Sequence, residues 1–192
     1  RIILWSLSEK KMLREYTHTY KLQFLAMSSR YIAASGYQDN TILIFDRDLN
    51  YLKSIESETV PAGLAFSPDG KLLLAGVGAP PPVCNIYDTS KDFVKITSFT
   101  RHDNVAIAVT FIDNSKAVTC GGNIFPIYIW DAHTGEVIRE ITGDGRRIWS
   151  VGIKGNEIAW GNTWTAKAYT ATGKLEKSIN PDTCEIKSIE GS

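Results

Sequence analysis

The sequence predicts an all-β fold assembled from repeated four-stranded units, and three observations predict it. Apolar and polar residues alternate in short segments divided by polar turns, and a period of two is the mark of strands. These segments fall into groups of four, and none sustains a helical period. One position then recurs, an aromatic, usually followed by an acid, closing an apolar strand. It falls at Trp5, Phe45, Tyr87, Trp130 and Tyr169, and successive members lie 40, 42, 43 and 39 residues apart.

That position sets the register for the whole chain. The spacing predicts a partial unit over 1–16, with a third strand near Ile2–Trp5 and an outer strand near Met12–Tyr16. Complete units follow over 17–57, 58–100, 101–142 and 143–180. The tail, 181–192, repeats the alternation in Cys184-Glu185-Ile186-Lys187-Ser188-Ile189 and is expected to start a further unit as its inner strand. Turn chemistry supports these divisions. In Ser67-Pro68-Asp69-Gly70, Pro68 presets φ at the second turn position and Gly70 accepts a positive φ after it.

The period, the four strands per unit and several local signatures resemble WD40 repeats. Phe66-Ser67-Pro68-Asp69-Gly70-Lys71 is similar to that family's first hairpin turn. Ser35-Gly36-Tyr37-Gln38-Asp39 is similar to its turn between second and third strands, and Trp130-Asp131-Ala132-His133-Thr134-Gly135 to the turn after the third. Arg101-His102 stands where the family often has Gly-His.

The resemblance implies a WD40-type β-propeller: four complete blades with parts of one or two more, in a ring that the family usually closes with seven. It gives Phe45, Asp46, Tyr87, Asp88, Trp130 and Asp131 structural roles at the blade aromatic and its acid. It also implies a buried hydrogen-bonded set of His, Ser or Thr, Asp and Trp. The second blade keeps Ser35 and Asp39 beside Phe45, and the fourth keeps His102, Thr119 and Trp130 without an acid near Gly122-Asn123. Apolar packing is therefore expected to carry most of the stability, with Trp149 and Trp160 packed between blades. An open ring leaves apolar flanks bare, so the chain is expected to be part of a longer one.

Charge and composition narrow the function. Lys plus Arg and Asp plus Glu number 21 each, so no basic excess points to nucleic acid. No apolar run reaches the ~18 residues that a membrane span needs, and no secretory leader is visible. Three cysteines without close pairing, and no glycosylation acceptor, point to a reducing, cytoplasmic setting.

Catalytic patterns are absent as well. Gly70-Lys71 and Gly173-Lys174 lack the glycine and hydroxyl of a phosphate-binding loop. His18, His102 and His133 have no metal-ligand spacing. Cys120 closes an apolar strand and reads as a buried structural thiol rather than a nucleophile paired with His102. No cofactor, metal or catalytic residue is expected.

The propeller resemblance brings Tyr37, Gln38, Arg101, Asp103, Arg146, Arg147, Asn162 and Trp164 onto one rim. Tyr37, Arg101, Arg146, Arg147 and Trp164 are the candidate partner-binding residues, because Arg, Tyr and Trp are enriched in binding hot spots. Pro80–Pro82 forms a stiff extended protrusion near them. The expected function is a non-catalytic scaffold whose partner is another protein or another domain of the same chain. The alternative is a sensing or regulatory module of a multidomain effector enzyme. The segments Ile148–Gly152, Ala159–Thr163 and Leu175–Ser178 resemble blades of bacterial propellers fused to caspase-like proteases.

Overall fold

A computed structural model describes the chain except at residues 37, 80, 122–125, 142–147, 156, 163–165, 171–174, 181–184 and 189–192; it gives the backbone alone at 39 and in the strands beyond 161. The first blade holds β1 (Ile2–Ser6) and β2 (Lys11–Tyr16). The second holds β3 (Phe24–Met27), β4 (Tyr31–Gly36), β5 (Asp39–Asp46) and β6 (Tyr51–Glu56). The third holds β7 (Pro61–Phe66), β8 (Leu72–Val77), β9 (Cys84–Asp88) and β10 (Val94–Phe99). In the fourth are β11 (Ala106–Phe111), β12 (Lys116–Gly121), β13 (Ile127–Asp131) and β14 (Val137–Ile141). In the fifth are β15 (Ile148–Lys154), β16 (Glu157–Asn162), β17 (Ala166–Thr170) and β18 (Leu175–Asn180), followed by β19 (Glu185–Ser188).

Within each blade, consecutive strands pair antiparallel as a meander. The third and fourth blades are also joined at a single pair, Ala106 opposite Val77. At that seam a side chain at Gly76 would fall on the carbonyl oxygens of Ala106 and Ala62. Only glycine lets three backbones converge there.

The core is a series of seams, one between each pair of neighbouring blades. Ile2, Ile32, Leu43 and Phe45 fill the first, and Ile42, Ile44, Leu73 and Tyr87 the second. Leu74, Ile86, Phe99 and Trp130 fill the third, and Val118, Ile127, Ile129, Ile158 and Trp160 the fourth. The blade aromatic therefore packs against the blade before it: Phe45 against the first, Tyr87 against the second, Trp130 against the third. Trp130 is fully buried and stacks on Phe99 with centroids 4.6 Å apart.

The third-to-fourth strand pairing breaks register beside every blade aromatic. One residue of the outer strand is left without a partner: Leu13, Leu52, Ile96, Ile138 or Glu176 in turn. This is a β-bulge, which bends the outer strand and adds twist. It also turns Leu13, Leu52, Ile96 and Ile138 outward into solvent.

The acid after the aromatic closes the turn that follows. Asp46 Oδ1 accepts from the Asp48 and Asn50 amides at 2.9 and 2.8 Å. Asp131 Oδ1 accepts from the His133 and Thr134 amides at 2.8 and 2.9 Å, and Asp88 from the Ser90 amide at 2.9 Å. These bonds to the ionised form hold all three carboxyls below their usual range: led by Asn50 for Asp46, Ser90 for Asp88 and the Thr134 amide for Asp131. The first-hairpin turn forms as its sequence predicts, with Gly70 at φ 72° and the Leu72 amide donating to Ser67 Oγ at 3.0 Å.

Two expectations need correction. Trp149 does not pack between blades; it is 54% exposed. A register break between Ile148 and Ser150 inserts one residue, so Ile148 points into the seam and Trp149 away from it. The tail strand β19 forms, but it pairs antiparallel with the outer edge of β18 instead of lying as an inner strand of a further blade. Period-two alternation describes a strand equally well on either edge.

Candidate functional site

The expected rim residues belong to the connectors that carry each blade's outer strand into the next blade's inner strand, and to the turns between second and third strands. The connector between β10 and β11 is anchored by a buried histidine. His102 is 3% exposed, and its Nε2 lies 2.8 Å from Thr119 Oγ1. Trp130 Nε1 donates to the same Thr119 Oγ1 at 3.1 Å. An indole nitrogen can only donate, so the Thr119 hydroxyl accepts from Trp130 and shares a second hydrogen bond with His102 Nε2. Among the described residues, His102 Nδ1 has no hydrogen-bond partner.

Burial holds His102 down to about 4, against smaller upward pulls from Asp103 and the Gly121 backbone. The ring is thus neutral at physiological pH. It is also packed by Phe99, 5.6 Å away, and Tyr128, 5.1 Å away between centroids.

A buried anchor at 102 turns its neighbours outward, and Arg101 and Asp103 are both exposed. Tyr128 lies beside them. Its phenol is raised first by burial and then by Glu140, with Arg101 pulling it down and Asp103 pushing it up. This part of the rim therefore offers a cation, two carboxylates and a half-buried phenol, a mixed surface without a dominant sign.

Of the other predicted rim residues, Gln38 is exposed. Tyr37, Arg146, Arg147 and Trp164 lie outside the described residues, as do Pro80 and the side chain of Asn162. The polar set anticipated in the second blade is redirected. Ser35 Oγ donates to the Pro61 carbonyl at 2.9 Å and so ties the second blade to the third. The Asp39 side chain lies outside the described residues.

Sequence reasoning missed two features. The inner strands line an open cleft of about 300 Å³, bordered by Gln23, Leu25, Leu64, Ile107, Val109 and Trp149 among others, and none of its described lining residues is ionisable. The signal was the alternation of the inner strands, which places one set of side chains toward the axis. The second is a pair of ion pairs, Lys53 to Asp92 at 2.8 Å between the second and third blades, and Lys95 to Glu58 on the connector that enters the third. Nothing in their spacing marks them.

The chemistry available is limited. Cys84 and Cys120 are buried; burial pushes the Cys84 thiol up to about 12 and the Cys120 thiol upward as well, so neither is a ready nucleophile. Among the described residues no three His, Cys, Asp or Glu side chains converge as a metal site. No described helix is long and apolar enough to cross a membrane.

Comparison with known proteins agrees with this architecture. A chain in the crystal structure of the mitotic checkpoint complex superposes with a TM-score of 0.80 at 19% identity, over 93% of this chain and 59% of that one. This chain thus spans about three fifths of the propeller-bearing chain it matches, and the likeness establishes the WD40-type propeller fold. The family model for the eukaryotic translation initiation factor eIF2A matches residues 6–121, from the end of β1 to the end of β12. It does not extend to the fifth blade, where the likeness to caspase-fused bacterial propellers was drawn. A match over more than half of the residues settles the family: the chain belongs to the eukaryotic translation initiation factor eIF2A family.

Proposed function

We propose that this chain is a non-catalytic protein-interaction scaffold that holds a partner of the translation-initiation machinery on its propeller rim. The observation that carries this reading is the anchored connector, where His102, Thr119 and Trp130 fix the backbone and leave Arg101 exposed. A side chain displayed from a rigid support loses little entropy on binding, which favours its use as a contact. Arg101, Tyr37, Arg146, Arg147 and Trp164 form the proposed contact set, and the partner is a protein or a further domain of the same polypeptide. Neither nucleic acid nor a membrane is proposed as a partner, and the proposed setting is the cytoplasm. The balanced charge supports the first of these exclusions.

The alternative, a regulatory propeller module of an effector enzyme, rests on residues 148–178, beyond the matched stretch.

The test is charge reversal on the rim. Arg101→Glu, and separately Arg146→Glu with Arg147→Glu, are expected to reduce co-sedimentation of the tagged protein with initiation complexes at least tenfold. Their melting temperatures should stay within about 2 °C of the parent, since surface changes are usually worth less than ~0.5 kcal/mol. Undiminished co-sedimentation in both variants removes the rim as the contact surface.

A further inference from the structure

We draw no further inference here: the strongest candidate, the apolar outer flank of the first blade formed by Ile3, Trp5, Met12 and Leu13, carries nothing because nothing in the structure shows what covers it.

Discussion

His102 is where one side chain couples the rim to the core. Its ring is neutral in the fold and titrates near 6.5 when exposed. Below pH 6.5 the unfolded chain takes up a proton that the folded chain refuses, so stability falls from there to about pH 4 and then levels off. The drop is on the order of 3 kcal/mol for a shift of this size. The capping carboxylates Asp46, Asp88 and Asp131 act in a lower window, because their folded values lie below 3.8 and their contribution is lost only as they protonate. Thermal melts between pH 7 and 4.5 should thus show a decline that His102→Gln flattens. An equal decline in the variant would assign the effect to other groups. The two tryptophans make a second contrast at this scale. Trp130→Ala empties a fully buried site and is expected to cost about 3–5 kcal/mol. Trp149→Ala removes a half-exposed ring and should cost less than ~1 kcal/mol. Urea denaturation of both measures the difference.

The strand is the scale at which sequence was most informative. Alternation marks strands because side chains on a pleated ribbon face opposite sides in turn, and every segment read that way is a strand here. What alternation cannot carry is the pairing partner or a change of phase. Trp149 sits at a register break, where one added residue reverses inside and outside. The tail strand β19 shows the other limit, since its alternation does not say which edge it joins. Arg101 and the His102 relay were legible because the family pattern fixes a histidine and a tryptophan at known places in a blade. The Lys53–Asp92 pair between the second and third blades was not, since it depends on how two blades meet in space. The glycines of the strands give a prediction at this scale. Gly76→Ala drives a methyl group onto two carbonyl oxygens and should lower the melting temperature by more than 5 °C. Gly152→Ala meets nothing within 4 Å and should be near neutral. Similar melts for the pair would mean that the seam at Gly76 yields.

At the scale of the whole molecule, each blade hides its apolar faces only against its neighbours, so stability belongs to the stack and not to a blade. Removing the fifth blade would bare Val118, Ile127 and Ile129, all now at most 2% exposed. Each such side chain is worth about 1.5–3 kcal/mol, and the sum approaches the ~5–15 kcal/mol that a folded domain has in total. A chain ending at residue 142 is therefore expected to bind an apolar dye and to melt without a cooperative transition. A sharp melt without dye binding would show that the fourth seam is dispensable.

The bulge beside each blade aromatic bears on how such a chain can change over generations. It lies between the third strand and the outermost one, and it recurs at the same place in all five blades. Leu13, Leu52, Ile96, Ile138 and Glu176 share this position, and a glutamate serves there as well as an aliphatic residue. The aromatic spacings run from 39 to 43 although each outer strand bulges by one residue, so blades drift in length through their turns and connectors while this bulge stays constant.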